Sequence, residues 1–184
     1  MKKKTIGVFV GSLRKDACSK KTANYIAGQL SQKYDVTFVE LGNLCIFNQD
    51  FDDEGTTPTA WTAFREQVKN LDALLFVTPE YNRSIPGVLK NALDIASRPY
   101  GQNVWDGKPG AVVGVSPGSL GGALAVSAIK VPLSFLNVRL MMQPEVYVSN
   151  AYQLFDEQGN LTNESTAKFL NGFVSAFDAW IEQA

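Results

Sequence analysis

Hydroxyl groups and a guanidinium gather in a short segment, residues 11–19, that follows an apolar run and leads into a helical pattern. Ser12 and Ser19 supply the hydroxyls and Arg14 supplies the positive charge. Together with the free N–H groups at the start of a helix, they suit a phosphate dianion. The alternative is an ordinary polar turn in which Ser19 caps the helix and Arg14 is solvated. The GxGxxG fingerprint of Rossmann dinucleotide-binding proteins and the GxxxxGK[ST] motif of P-loop ATPases and kinases are both absent, so neither class is predicted.

A second segment, residues 78–87, combines a flat aromatic ring with polar groups in a stiff loop (TPEYNRSIPG). Its two prolines fix an extended path. A planar heterocycle could stack on Tyr81 while backbone groups, the Asn82 amide and the Glu80 carboxylate read its edge. The alternative is a rigid connection whose tyrosine packs on the core. The mixture of a flat face and edge-reading groups favours a binding loop.

A third segment, residues 116–122, is rich in glycine (SPGSLGG) and again opens a helical pattern. Gly118, Gly121 and Gly122 would let the backbone approach a ligand closely, and the helix start would favour negative charge. Alone this pattern indicates little. It gains weight because the three segments follow three separate strand candidates.

Composition excludes several classes of chemistry. The chain has 184 residues, 17 Lys and Arg against 18 Asp and Glu, and no histidine. Without histidine there is no Ser-His or Cys-His nucleophile pair and no histidine-ligated metal or haem. A net charge of −1 gives no field that would attract nucleic acid or a membrane surface. We therefore expect small molecules, or a second copy of the chain, as partners.

Other reactive residues have simpler explanations. Cys18 and Cys45 form neither a CxxC pair nor a disulfide framework, so we expect reduced thiols in a cytoplasmic protein. With no histidine as base, Cys18 is better explained as a small apolar residue than as a nucleophile. The acids in residues 50–54 are typical of a solvated face, so no metal site is predicted. Residues 2–10 lack the long apolar run and cleavage pattern of a signal peptide.

Short runs rich in β-branched and aromatic residues predict five strands. They cover residues 6–10, 36–40, 73–78, 111–115 and a last strand near 146–148. Helical spacing predicts five helices between and after the strands, including amphipathic patterns at residues 23–30 and 170–177. A further helix begins with Thr57 as its cap and Pro58 at the first helical position.

Prolines also mark the ends of one of the two remaining helices and interrupt the other. Pro86 opens one of them, and the pair Arg98 and Pro99 stops it. The other should run from residue 121 or 122 to about residue 136. Pro132 lies inside that span and removes a backbone hydrogen bond, so we expect a kink.

Apolar strands that alternate with helices predict a parallel sheet covered on both faces. The pattern fits an α/β, flavodoxin-like, doubly wound five-stranded sheet of order 2-1-3-4-5. The chain has no linker or repeat and is most simply one domain, residues 1–184. Ligands of such folds bind beyond the carboxyl ends of the strands, where the three segments would meet.

Together the three segments resemble the NADPH-dependent FMN reductase family, and within it bacterial quinone reductases that also reduce chromate and azo compounds. The resemblance covers most of the chain in the same order and spacing. The residues that carry it are 11–15 (GSLRK), 78–82 (TPEYN), 84–87 (SIPG), 89–94 (LKNALD), Ser116, Gly118, Gly121 and Gly122.

The resemblance implies non-covalently bound FMN. The phosphate contacts that it implies are Ser12, Arg14 and Ser19. The contacts that it implies for the isoalloxazine ring are Pro79, Glu80, Tyr81 and Asn82. On the side of the fourth strand, the implied contacts are Ser116, Pro117 and Gly118. No residue is implied to be a catalytic acid, base or nucleophile, because the flavin carries the chemistry.

The first segment departs from the family pattern. Relatives commonly continue Lys-Gly-Ser-Phe-Asn after the arginine, whereas this chain continues KDACS. The change removes one hydroxyl and puts Asp16 near the implied phosphate.

The resemblance also implies a homodimer, with a homotetramer as the alternative. Residues 90–97 and the loop at Phe47 and Asn48 are the candidates for the dimer contact. Leu124 and Ser127 replace residues that some relatives use to pair dimers into tetramers.

The activity implied is hydride transfer from NADPH or NADH through FMN to a small-molecule electron acceptor such as a quinone, chromate, an azo compound or free flavin. A basic residue near the mouth of the site, Arg83, could meet the 2′-phosphate of NADPH. One alternative is a flavodoxin-type electron carrier without NAD(P)H reductase activity. Another is an α/β module whose loops bind nothing.

Overall fold

The computed structural model describes residues 3–183, which form one parallel sheet with helices on both faces. The strands are β1 (Thr5–Val10), β2 (Asp35–Phe38), β3 (Ala73–Pro79), β4 (Pro109–Val115), β5 (Arg139–Leu140) and β6 (Val146–Val148). The helices are α1 (Cys18–Leu30), α2 (Asp50–Asp53), α3 (Thr59–Lys69), α4 (Gly87–Ala96), α5 (Ala123–Phe135), a 3-10 helix (Ala151–Gln153) and α6 (Glu164–Glu182).

The strand order β2-β1-β3-β4-β5 confirms the predicted order, with one strand added. The position beside β4 is filled by two short strands in succession. β5 pairs with the first residues of β4, and β6 pairs with its last three residues. The predicted last strand is therefore β6. The sequence analysis missed β5 because a two-residue strand carries no apolar pattern.

Alternation along the strands divides the core into two layers. Phe9 and Phe76 face the layer that α3, α4 and α5 cover, where they pack with Trp105. Val8 and Leu75, one residue earlier on the same strands, face α1 and α6. Both layers are buried, as expected for a parallel sheet covered on each side.

Two of the predicted helix starts are displaced by one residue. Pro58 and Pro86 lie just before the first helical residues of α3 and α4, with extended ψ angles of 135° and 145°. Thr57 is not a cap, which corrects the prediction, because its hydroxyl donates to Asp52 at 2.8 Å instead. α5 continues past Pro132 to Phe135, and the kink stays a prediction.

The acidic residues form part of the connection before α3. Residues Asp50–Asp53 make the single turn of α2, and Asp52 pairs with Arg65. Among residues 3–183 there is no cluster of three or more side chains suited to a metal ion. None of the helices within that range is long and apolar enough to cross a membrane.

Candidate functional site

The carboxyl ends of β1, β3 and β4 bring the three predicted segments together around a cavity of about 180 Å³. Its lining comes from all three segments and from one further tyrosine. The lining residues are Ser12, Arg14, Ala17, Cys18, Ser19, Pro79, Glu80, Tyr81, Val115, Ser116, Pro117 and Tyr152. Of the predicted site residues, Asn82 and Gly118 lie outside this lining, as does Asp16.

The start of α1 forms one wall and has no cap of its own. Ala17 occupies the capping position and has no side-chain hydrogen-bonding group. Ser19 lies within the first turn, so the alternative in which it caps the helix is wrong. Its hydroxyl is buried and has no hydrogen-bond partner in residues 3–183. Thr22, in the next turn of α1, has a second buried hydroxyl without a partner in the described residues, but only Ser19 lines this cavity. An unpaired buried hydroxyl costs about 1–3 kcal/mol, and a ligand oxygen in the cavity would offset that cost at Ser19.

Ser12 links the first segment to the second. Its hydroxyl oxygen accepts hydrogen bonds from the backbone N–H of Arg14, at 3.3 Å, and from the Tyr81 hydroxyl, at 3.1 Å. The guanidinium of Arg14 is exposed and forms no ion pair with any carboxylate in the described part of the chain. An interaction with the Tyr152 hydroxyl raises the pKa of Arg14. The site therefore presents a positive charge that has no counter-ion among residues 3–183.

A tight turn orients Tyr81. The backbone groups of Tyr81 and Ser84 exchange two hydrogen bonds of 3.0 Å, and the two residues between them have positive φ angles. Asn82, at φ 50°, tolerates this left-handed conformation, whereas Arg83, at φ 64°, adopts it rarely. Backbone conformations of this kind are concentrated at functional sites. The turn leaves the Tyr81 ring 44% exposed.

Glu80 has a role that the sequence analysis missed. Its carboxylate accepts hydrogen bonds from the backbone N–H groups of Leu124, at 3.0 Å, and Ala125, at 3.3 Å. The side chain therefore caps α5 and does not offer its carboxylate to a ligand, which leaves the Glu80 backbone for that purpose. Gly121 and Gly122 precede α5, so that helix has no capping side chain of its own, but the sequence does not show which distant side chain caps it.

A fourth segment, residues 149–153, joins the site after β6. The N–H of Ala151 donates to the carbonyl of Ser116 at 3.1 Å, and the N–H of Asn150 donates to the carbonyl of Gly118 at 3.1 Å. Gly121 allows this packing, because a Cβ there would lie 2.6 Å from the backbone of Tyr147. The segment has no glycine or proline, so nothing in the sequence marked it.

An open recess of about 380 Å³ continues from the cavity across Tyr81. Its other lining residues include Gly11, Leu13, Pro86 and Val88. Gly11 lets the first two segments touch, since a Cβ there would lie 2.9 Å from the ring of Pro79. The recess is mostly apolar and is large enough for a planar ring system, with the smaller polar cavity at one side.

Cys18 lines the polar cavity but is not activated there. Burial raises the pKa of its thiol above the ordinary value. A protonated thiol is a poor nucleophile, which agrees with the prediction that Cys18 is not catalytic.

A larger cavity lies elsewhere in the fold. It measures about 800 Å³ and is lined by residues near the amino ends of β3 and β4, among them Arg65, Lys69 and Lys108. None of the predicted site residues reaches it.

Comparison with known proteins identifies the family of this chain. The model of the NADPH-dependent FMN reductase family matches residues 5–153. A quinone reductase of Pseudomonas putida is 46% identical over 178 residues, covering 97% of this chain and 95% of that protein. A 2-hydroxy-1,4-benzoquinone reductase of a Burkholderia species is 45% identical over 176 residues, covering 96% and 95%.

One solved structure is similar to this chain over nearly its whole length. It is FerB of Paracoccus denitrificans, a flavoenzyme NAD(P)H:(acceptor) oxidoreductase, with a TM-score of 0.91, 42% identity and 98% of each chain covered. The family match spans all three predicted segments, and the similarity to FerB spans nearly the whole chain. This chain therefore belongs to the NADPH-dependent FMN reductase family.

Proposed function

We propose that this chain is an FMN-dependent oxidoreductase that transfers hydride from NADPH or NADH to quinones or similar small acceptors. Family membership and the names of its relatives, which are quinone and NAD(P)H:acceptor reductases, support this function. The observation that carries it is the polar cavity at the start of α1. There a buried hydroxyl without a partner and a guanidinium without a counter-ion lie beside uncapped helix N–H groups.

The residues present fit FMN. Ser12, Arg14 and Ser19 would hold the phosphate, since a dianion would satisfy the Ser19 hydroxyl and pair with Arg14. The isoalloxazine ring would extend into the recess beside Tyr81. On the cavity side of Tyr81 it would meet Pro79 and the backbone of Glu80, which line the cavity and not the recess, and Asn82 in the turn. Ser116, Pro117 and Gly118 would approach it from the side of β4.

The protein's contribution to the reaction is position and electrostatics. When bound, FMN supplies the hydride-accepting and hydride-donating chemistry. Tyr81, held by its turn and by its bond to Ser12, would orient the nicotinamide or the acceptor over the ring. No side chain has to act as acid, base or nucleophile, so the absence of histidine is no obstacle.

The alternative, a flavodoxin-type carrier, is not favoured. Relatives of nearly equal length are named as reductases, and the near-neutral charge differs from the acidic surface expected of a carrier by resemblance. A carrier would bind FMN but would not oxidise NAD(P)H in the absence of a partner protein.

An absorption spectrum of the purified protein, followed by anaerobic reduction with NADPH or NADH and reoxidation by a quinone, tests the proposal. We expect a yellow protein that is bleached by at least one nicotinamide and recoloured by the quinone. A colourless protein that consumes no NAD(P)H when FMN and quinone are added would contradict it.

We also propose that the chain is a single domain and forms a homodimer. The two candidate contact segments form one continuous surface, because Asn91 of α4 accepts a hydrogen bond from the N–H of Phe47 at 2.8 Å. Lys90 and Asp94 pair with each other on the outer side of that helix. Leu124, 43% exposed, lies on the separate α5 surface that a tetramer would use. Light scattering coupled to size exclusion would measure the assembly.

We also propose that the protein is located in the cytoplasm. Cys45 is exposed and Cys18 is half-buried, and both are free thiols in the structure. Exposed free thiols suit a reducing compartment.

A further inference from the structure

A tyrosine from outside the three predicted segments lies at the mouth of the phosphate-sized cavity. Tyr152, in the 3-10 helix, lines this cavity together with Arg14 and Ser19. Tyr152 is 63% exposed, so its hydroxyl is accessible to a ligand that enters from solvent.

The backbone holds this tyrosine in place. Ala151, directly before it, is fully buried and donates its N–H to the carbonyl of Ser116. The N–H of Ser116 in turn donates to the carbonyl of Val148 at 2.9 Å. Tyr152 is therefore fixed relative to the third segment and does not lie on a free loop.

The two tyrosines of the cavity differ in whether a protein group already accepts their hydroxyl proton. The Tyr81 hydroxyl donates to Ser12 and has no second proton to give. The Tyr152 hydroxyl has no hydrogen-bond partner among residues 3–183, and Tyr152 lines the cavity together with Arg14 and Ser19. Its own proton remains available to an acceptor in the cavity. The Glu80 carboxylate is not that acceptor, because α5 and Arg83 engage it.

We propose that Tyr152 is a further phosphate ligand, whose hydroxyl donates to a phosphate oxygen of FMN beside Arg14, and that it selects flavins that carry a terminal phosphate. This inference rests on the proposed function. Tyr152, from residues 149–153, would join the phosphate contacts Ser12, Arg14 and Ser19 that were predicted from the sequence.

The variant Tyr152→Phe tests the proposal, because it keeps the ring and removes only the hydroxyl. Flavin-free full-length protein would be titrated with FMN and with riboflavin, which lacks the phosphate, by quenching of flavin fluorescence. We expect the Kd for FMN to rise about tenfold, as for a lost charge-assisted hydrogen bond, and the Kd for riboflavin to stay unchanged. Tyr100→Phe is the control: Tyr100 is 94% exposed, does not line the cavity, and should change neither value.

Equal weakening of FMN and riboflavin in Tyr152→Phe would show a contact to the ring system and overturn the phosphate assignment. Unchanged affinity for both flavins would also overturn it. Wild-type protein that binds neither flavin would instead contradict the proposed function itself. A thermal melt of each variant would show that the fold is intact.

Discussion

Two polar regions lie at opposite edges of the sheet and differ in how their charged groups are paired. Near the amino edge, the Arg65 guanidinium forms a 2.6 Å ion pair with Asp52, with side chains only 13% and 6% exposed. It also donates to the carbonyl of Ile95 at 2.9 Å. At the carboxyl edge, Arg14 has no ion pair and the Ser19 hydroxyl has no partner in the described part of the chain.

The difference separates stability from binding. Polar groups that the fold itself satisfies stabilise the fold, whereas buried groups that it leaves unpaired are costly unless a ligand completes them. Cavity volume does not identify the site, because the amino-edge cavity, at about 800 Å³, is larger than the carboxyl-edge cavity, at about 180 Å³. What marks the carboxyl-edge site is that the unpaired groups Arg14 and Ser19 line one cavity there.

The largest effect is expected from Asp52→Ala. It leaves the Arg65 charge buried without its partner, which should lower the free energy of unfolding by about 3–5 kcal/mol. FMN affinity of the folded protein should not change. Urea unfolding and FMN titration measure the two quantities. Asp53→Ala, one residue along in the same turn, should cost about 0.5 kcal/mol or less.

The stability difference between wild type and Asp52→Ala should depend on pH. The Arg65 guanidinium lowers the pKa of Asp52. The contribution is therefore complete above the unfolded-state carboxyl pKa, about 3.9, and is lost as pH falls through the lower folded-state pKa. A difference that grew on acidification would contradict the ion-pair explanation.

Arg14→Ala should weaken FMN binding and leave the stability of the fold nearly unchanged, the reverse of what is expected for Asp52→Ala. We expect FMN affinity to fall by about 1.5–3 kcal/mol, because a charge-assisted hydrogen bond to the phosphate is lost. The free energy of unfolding of the flavin-free protein should stay within about 0.5 kcal/mol of wild type, since Arg14 is exposed. Fluorescence titration and urea unfolding test this. Lys168→Ala serves as the control for loss of a positive charge, because Lys168 is exposed on α6 and lines neither the cavity nor the recess. An equal loss there would argue against a specific phosphate contact.

Glu80→Ala should affect the fold more than the flavin. Removing the carboxylate leaves the N–H groups of Leu124 and Ala125 without their acceptor, at a cost of about 0.5–2 kcal/mol, as for the loss of a helix cap. A loss of FMN affinity without loss of stability would instead assign the carboxylate to the cofactor.

Ser19→Ala should weaken flavin binding less than Arg14→Ala does. Because the variant removes an unpaired buried hydroxyl, the flavin-free protein should be as stable as wild type or more stable by about 1 kcal/mol. FMN should bind more weakly by about 0.5–1.5 kcal/mol. If the flavin-free variant were clearly destabilised, the hydroxyl would have a partner within the fold.

Much of the fold could be predicted because the long strands are apolar on both faces and the helices have regular spacing. The two-residue β5 and the single turn of α2 are too short to carry such a pattern. Thr57 was misassigned because a threonine before a proline suits a cap, whereas the structure pairs its hydroxyl with Asp52 across the α2 turn.

The site was predictable where glycine, proline and hydroxyl residues follow a strand. It was not predictable where a contact depends on tertiary packing. Tyr152 reaches the cavity only because β6 lies beside β4 and its following segment binds the backbone at Ser116. The carboxylate of Glu80 looked free in the sequence, but the start of α5 folds back onto it.

The central claim is that the carboxyl edge binds FMN through its phosphate. The most direct test is to compare the affinities of wild-type protein for FMN and for riboflavin in one buffer. At least two charge-assisted contacts to the phosphate should make FMN bind about 100-fold more tightly or better. Equal affinity for the two flavins would contradict the account, because the unpaired groups at the start of α1 would then not be the ones that a flavin completes.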